Sequence, residues 1–282
     1  MRAERGVALV LVLMISGTLG LLMLQFGLTA REQTARAQKL VERAQADLRL
    51  RSINTQVLFA LTTNSWDLRR QQESEDPFVA GMNFRGEPFS VGDATVAVQD
   101  LSGLVAFPQP GVGGARLDSV LAASGVPEER ARSIAERIIR MPPPPKGAPL
   151  QDFYELTLIA GLARGEADKL SAIATLYPTR GFNPVTAPDR ALRAMFSGSV
   201  LQGLEARRES GSLDAQGFFS VTGVGLEDST VFFPGPGFEI RTRVSFGSAT
   251  AAEERSLTID PYGRYPISVW SRRRPLAESL DR

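Results

Sequence analysis

GVALVLVLMISGTLGLLMLQFGLTA, residues 6–30, holds no charged side chain, and the leader that ends on its first glycine is MRAERG, residues 1–6. As a helix the run reaches roughly 37 Å at about 1.5 Å per residue. That is enough to cross a hydrocarbon core of about 30 Å with some tilt. A secretory signal peptide has a shorter apolar region and an A-x-A-like cut site. This run instead passes through Leu28-Thr29-Ala30 into a helical pattern, so a retained anchor is the preferred reading. Neither glycine nor proline interrupts residues 31–61, and good helix formers dominate there. Leu40, Ala44 and Leu48, then Ile53, Val57 and Leu61, recur at four-residue steps and read as one apolar stripe, a face for packing or for partners. Glu32 with Arg36, and Asp47 with Arg51, stand acid-first at i,i+4. The expectation is a single helix of roughly 80 Å, half in lipid and half laid on a soluble domain.

Composition removes most chemistries. The 282 residues are 43% hydrophobic with net charge +1, which offers no general surface for nucleic acid. There is no cysteine and no histidine. That excludes disulfides, thiolate chemistry, Ser-His-Asp catalysis and most zinc or iron sites. No Gly-x-Ser-x-Gly elbow, Ser-x-x-Lys or Gly-Lys-[Ser/Thr] loop is present. Gly111-Val112-Gly113 and Gly223-Val224-Gly225 lack the further glycine of a nucleotide loop. Only hydrolysis by a carboxylate pair survives, and the chain reads as a non-enzyme. Charges flanking the anchor, Arg2 and Arg5 against Arg31, Arg36, Lys39 and Arg43, favour a cytoplasmic carboxyl side if read naively. Long domains translocate regardless of such charges, so topology is not decided by them.

Beyond the helix, residues 62–88 read as loop with broken elements, and residues 89–98 as strand. Asp100-Leu101-Ser102-Gly103 turns into a second apolar run, residues 104–107, and PQPGVGGA, residues 108–115, is a linker by composition. Residues 117–196 are helical and punctuated by proline. From Gly217 to Trp270 the pattern alternates: Phe219/Val221, Ile240/Thr242/Val244/Phe246, Leu257/Ile259 and Ile267/Val269. The strands therefore lie on both sides of a helical insertion. That insertion carries a weak repeat offset by 36 residues: Ser124-Gly125-Val126, Ala131 and Ile134 answer to Ala160-Gly161-Leu162, Ala167 and Leu170. Each copy ends a helix at glycine and starts another, as helix-hairpin-helix units do. Such units grip DNA phosphates, but the second hairpin glycine is missing and the nearby charges are mixed, so packing is the preferred role. Further on, Thr186 reads as an N-cap with Asp189 in the acidic position of a capping box, a role preferred to ligand binding by Asn183 or Asp189.

These pieces, in this order, resemble minor pseudopilin K of the bacterial type II secretion system (general secretion pathway protein K). The resemblance rests on five pieces: the Arg-Gly leader before GVALVLVL, the segment Val96-Ala97-Val98-Gln99-Asp100-Leu101-Ser102-Gly103-Leu104, the Leu117-x-x-Val120-Leu121 helix with its Gly125 hairpin, the stretch from Pro149 to Leu156, and Phe182-Asn183-Pro184-Val185-Thr186-Ala187-Pro188. It covers most of residues 1–200; the carboxyl third matches only in strand character.

The resemblance implies an α+β, pilin-like fold: a long N-terminal transmembrane helix on an antiparallel sheet, interrupted by an all-α helix-hairpin-helix-like domain. The divisions are a prepilin leader at 1–6, the membrane helix at 7–30, and the rest of the helix with the first strands at 31–107. The insertion follows at 108–200 and the remaining strands at 201–282. It further implies cleavage by prepilin peptidase after Gly6, N-methylation of Val7, and a single-pass inner-membrane protein with its C-terminal domain in the periplasm. Its partners would be minor pseudopilins of the I and J type, the inner-membrane secretion platform, prepilin peptidase and the lipid bilayer, with no nucleic acid. The role would be to cap or initiate the pseudopilus at its tip. Most pilins carry glutamate at the fifth residue after the cut; here it is Leu11, which on sequence alone reads equally as a lipid-facing leucine or as the mark of a tip position, and the resemblance favours the tip. Calcium sites occur in the family, but the equivalent segment here, residues 140–147 (RMPPPPKG), has no carboxylate, and calcium needs six to eight oxygen ligands. No cofactor is expected there. The four prolines read as a stiff polyproline II spacer, while Glu227, Asp228 and other loop acids leave a calcium site elsewhere open, with no position assigned to it. The alternatives are a minor pilin of a type IV pilus or competence pseudopilus, and a membrane-tethered helix-hairpin-helix protein that touches DNA.

Overall fold

In the computed structural model the described residues are 2–64, 66–67, 74–108, 117–141, 150–223, 230–260 and 263–274, with side chains from residue 13 onward. Helix α1, Arg2–Thr63, has 62 residues, about 93 Å at the standard rise. By length and composition it alone among the described residues is long and apolar enough to cross a membrane. Among the described side chains of its first half, large apolar residues such as Met14, Met23 and Phe26 are exposed. Its second half lies across a sheet.

That sheet has five antiparallel strands in the order β1-β2-β5-β6-β7: β1 (Phe89–Val91), β2 (Ala94–Asp100), β5 (Gly237–Phe246), β6 (Ala249–Ile259) and β7 (Ile267–Arg273). A short helix α2, Pro77–Gly81, starts at Asp76, which caps Phe78 N, with proline at the favoured first position. The inward face of α1 is Ala46, Leu50, Ile53, Asn54, Val57, Ala60 and Leu61, set against Val96, Val98, Phe238, Ile240, Val244, Leu257 and Ile259. This departs from the single stripe expected. The steps within 40-44-48 and within 53-57-61 are each four residues, but the join from Leu48 to Ile53 is five. At about 100° per residue, five residues rotate the helix by about 140° beyond a full turn. Ile53, Val57 and Leu61 therefore face the sheet, while Leu40 (69% exposed) and Leu48 (64% exposed) lie with Ala44 on the opposite side.

Because β2 pairs directly with β5, Val98 opposite Ile240 and Asp100 opposite Phe238, everything between them is an excursion from two neighbouring strands. It holds a two-stranded parallel ladder, β3 (Val105–Ala106) with β4 (Ala174–Thr175), which the sequence did not announce. Around it run α3 (Leu117–Ala123), α4 (Glu128–Ile139), α5 (Glu155–Ile159), α6 (Arg164–Ser171) and α7 (Asp189–Met195), then α8 (Gly198–Glu209) and α9 (Ala215–Thr222). The last two fall largely within the division 201–282 assigned to the remaining strands, and α9 overlaps the stretch read as alternating from Gly217. Phe219 and Val221 sit in α9, whose start is capped by Asp214 on Gly217 N and whose end is Gly223 at φ 67°. The alternation there was too short to separate strand from helix: Phe218 is buried while Phe219 is exposed. Helices therefore continue to residue 222, past the expected boundary at 200.

The insertion has its own core, built from Leu121, Ile134, Ile138, Leu156, Leu170 and Leu192 among others. A smaller cluster joins Leu204, Leu213 and Phe218. The internal repeat is real in space. Gly125 and Gly161 take φ of 91° and 72°, and each matched pair, Val126/Leu162, Ala131/Ala167 and Ile134/Leu170, is buried. The linker residues 109–116, the proline-rich residues 142–149, and Glu227 and Asp228 lie outside the described residues.

Candidate functional site

The place where the excursion leaves and re-enters the sheet is held by one carboxylate. Asp100, the last residue of β2, is fully buried. Its Oδ1 accepts from the backbone N–H of Ser102 at 2.9 Å and of Gly235 at 3.1 Å, one residue group just after β2 and the other just before β5. Its Oδ2 accepts from Thr186 Oγ1 at 2.6 Å and Asn183 Nδ2 at 3.2 Å, both from the middle of the insertion. Neighbouring contacts close the same neck. Asn183 N donates to Ser102 O at 2.6 Å, and Gln99 Nε2 reaches Thr186 O at 3.3 Å. A Cβ on Gly103 would collide with the Thr186 carbonyl, so only glycine allows this approach.

Burial pushes the Asp100 carboxyl above its ordinary value, and the hydrogen bonds from Thr186, Ser102 and Gly235 only partly offset this. The sequence role assigned to Thr186 is corrected here. Helix α7 begins at Asp189 behind Pro188, with no side-chain cap. The Thr186 hydroxyl is committed to Asp100. Asp189 instead pairs with Arg208 of α8, which also donates to Ala187 O at 2.8 Å. A capping box needs a free hydroxyl and a free acid, and both are spent on tertiary partners.

A second polar cluster joins α1 to the sheet. Buried Asn54 donates to Glu253 Oε1 at 3.1 Å and accepts from Thr242 Oγ1 at 2.7 Å. Glu253 is itself buried, and is further held by Arg255 and by Arg272, whose Nη2 lies 2.7 Å from Oε2. Burial raises the Glu253 carboxyl, but the hydrogen bonds from Arg272 and Arg255 outweigh it and the net direction is down. On the helix flanks, Glu42 Oε2 accepts from Ser248 N at 2.9 Å in the β5–β6 turn, and Arg49 pairs with Asp93 in the β1–β2 turn. Asp47 reaches Arg274 at 3.7 Å rather than Arg51, while Glu32 and Arg36 pair at 3.6 Å. On the far face of the sheet, Glu239 is pushed up to about 7 by burial and then by Glu254, with Arg241 and Arg273 opposing.

Gly6, Val7 and Leu11 fall within α1 by backbone, but their side chains lie outside the described residues. Leu40, Ala44 and Leu48 form an outward apolar row, with Phe59 (66% exposed) further along the helix. Sequence reasoning missed Ala46, Leu50 and Asn54. A strict 3.6-residue period through 46, 50, 53, 57 and 61 carried the signal. At the hairpins, Arg130 pairs with Glu166 at 2.6 Å and donates to Gly161 O at 2.6 Å, so it is engaged within the domain rather than free for phosphate. Among the described residues no three carboxylates come together as a metal site. The fully buried Asp100 accepts four hydrogen bonds from protein donors, so its oxygens are committed to them.

No family model and no curated protein matches the chain. Among solved structures it is similar to a chain of the GspK-GspI-GspJ complex from the enterotoxigenic Escherichia coli type 2 secretion system, with TM-score 0.52 and 16% sequence identity. The similarity covers 86% of this chain and 100% of that one. The fold is GspK-like. Two of the five segments that carried the resemblance in sequence, those holding Gln99-Asp100-Leu101-Ser102 and Asn183-x-x-Thr186, meet in this GspK-like fold at the neck of the insertion.

Proposed function

We propose that this protein is a minor pseudopilin of a type II protein secretion system, capping or initiating the periplasmic pseudopilus at its tip. The observation that carries the reading is the similarity to a chain of a pseudopilin complex over that chain's whole length. It accords with a long apolar helix that runs on into the sheet domain. The first half of α1 serves as the inner-membrane anchor, and the sheet and insertion lie in the periplasm. Prepilin peptidase cuts after Gly6, and Val7 becomes the methylated amino terminus. The partners are minor pseudopilins of the I and J type, which the outward row of Leu40, Ala44 and Leu48 meets, and the inner-membrane platform. Leu11 suits a subunit with none above it, since a carboxylate at that depth costs several kcal/mol unless paired. The helical insertion adds the breadth that prevents stacking. The role is structural, with no cofactor.

Expression beside prepilin peptidase, with mass spectrometry of the membrane-extracted protein, tests this. Loss of residues 1–6 is expected, and Gly6→Val blocks it by crowding the cut site. An intact Met1, or a mature start beyond Ala30, refutes the assignment.

A further inference from the structure

On the sheet face away from α1, a cleft of about 240 Å³ opens where the neck of the insertion meets the edge strand. Leu101, Pro178, Pro236 and Trp270 supply its apolar lining, and Thr258 and Arg180 its polar groups. Trp270 arrives there through a β-bulge. The β6–β7 register passes from Ser256 opposite Ser271 to Leu257 opposite Val269, which leaves Trp270 as the extra residue. Bulges of this kind re-aim a side chain. The indole stacks on Tyr177 of the insertion, centroids 4.8 Å apart, yet remains 38% exposed. Two polar groups are unspent. Thr258 Oγ1 is buried and has no hydrogen-bond partner among the described residues. Arg180 is exposed and forms no ion pair among the described residues.

We propose that this cleft receives an aromatic side chain from an extended, acidic segment of a partner protein, with a neighbouring carboxylate meeting Arg180. The volume lies below the roughly 300–1,000 Å³ of small-molecule pockets and suits one large side chain. β7 ends the sheet, so its outer row of backbone groups pairs with no described strand and offers main-chain hydrogen bonds to such a segment. Arg180 sets the charge. This site is independent of the role proposed above, since neither the leader nor the membrane helix contributes to it.

The test uses the full-length protein in mild detergent, labelled with ¹⁵N. The two indole resonances, Trp66 and Trp270, are assigned with Trp270→Phe. Acetyl-Gly-Phe-Asp-Gly-amide should shift the Trp270 signal saturably and leave that of Trp66 unmoved. Its Asn counterpart should bind about fivefold more weakly, the worth of an exposed ion pair. Arg180→Ala should erase that difference without altering the fold, and Arg180→Lys should retain most of it. Phenylacetate, a small anion of like chemistry, should bind far more weakly than the acidic peptide. No saturable shift, equal binding of the two peptides, or an unchanged Arg180→Ala profile overturns the proposal. Phenylacetate binding as tightly as the peptide overturns the assignment to a protein segment.

Discussion

Replacing Asp100 by alanine removes an acceptor that both ends of the insertion share. Four donors lose it at once: the N–H groups of Ser102 and Gly235, the Thr186 hydroxyl and the Asn183 amide. Each buried donor left without a partner costs about 1–3 kcal/mol. The costs do not add fully, because water enters the space left by the carboxylate and removal also relieves the burial of a charge. A loss of about 3–5 kcal/mol is expected, as when one partner is stripped from a buried polar group of this kind. Against a typical domain stability of about 5–15 kcal/mol this is severe. The assay is urea unfolding of the full-length protein in detergent, with limited proteolysis to report whether the neck opens before the sheet. Asp100→Ala combined with Thr186→Val should cost about 1 kcal/mol or more less than the sum of the two singles, since both break one bond. The pH dependence has a definite sign. Burial raises the folded carboxyl above its ordinary value of 3.8, so the folded state holds the proton more tightly than the unfolded chain. The advantage of wild type over Asp100→Ala is then greatest below that ordinary value and shrinks as pH rises through the raised one. A loss under about 1 kcal/mol, additive singles, or an advantage that grows with pH refutes the keystone reasoning.

Three further outcomes are expected. Leu48→Asp should leave unfolding unchanged yet weaken association with partner pseudopilins, while Val57→Asp should cost about 3 kcal/mol or more by placing a charge in the core; co-purification together with thermal unfolding separates the two, and equal effects remove the two-face description of α1. Glu253→Gln should destabilise the protein most above the ordinary glutamate value of 4.5 and progressively less as pH falls through the lowered folded value, because that carboxyl is held charged by Arg272 and Arg255; urea curves between neutral and acid pH give the sign directly. Exchanging residues 102–235 for a two- to four-residue hairpin turn should leave a folded sheet, since β2 and β5 are already neighbours with a separate core, and in cells it should lengthen pseudopili; aggregation of the variant or filaments of unchanged length argues against the insertion as a stacking block.

The outline of the fold was legible because its signals are physical and local. A charge-free run of membrane length, an unbroken helix behind it and glycines closing two hairpins each act within a few residues. The split of the α1 row was equally present, in the five-residue step from Leu48 to Ile53, and was lost by grouping the apolar positions without following the helical angle. Residues 215–222 misled because Phe219 and Val221 alternate over too short a window to distinguish a strand from a helix turning one face inward. What the sequence withheld was the neck. Asp100 and Thr186 are 86 positions apart, and a threonine before a helix reads as a cap until the distant carboxylate that takes its hydroxyl is seen. The joining of Asn54, Glu253 and Arg272 was hidden in the same way, since each is an ordinary polar residue in its own segment.

Both chain crossings into the insertion pass through one point on the sheet, and this decides how force moves through the molecule. A push or pull along α1 reaches the strands through the packed helix and its contacts with the β1–β2 and β5–β6 turns. From there the shortest covalent and hydrogen-bonded route runs between β2 and β5, which are already joined to each other. The helical body hangs beside that route like a weight on a bracket, and axial tension in the helix has no need to stretch it. Side-on load is different: it falls on the hydrogen bonds around Asp100, on the Arg273–Asp152 ion pair and on the Tyr177–Trp270 stack, which together tie the body to the sheet. Axial load and bending load therefore travel through different sets of contacts in this molecule.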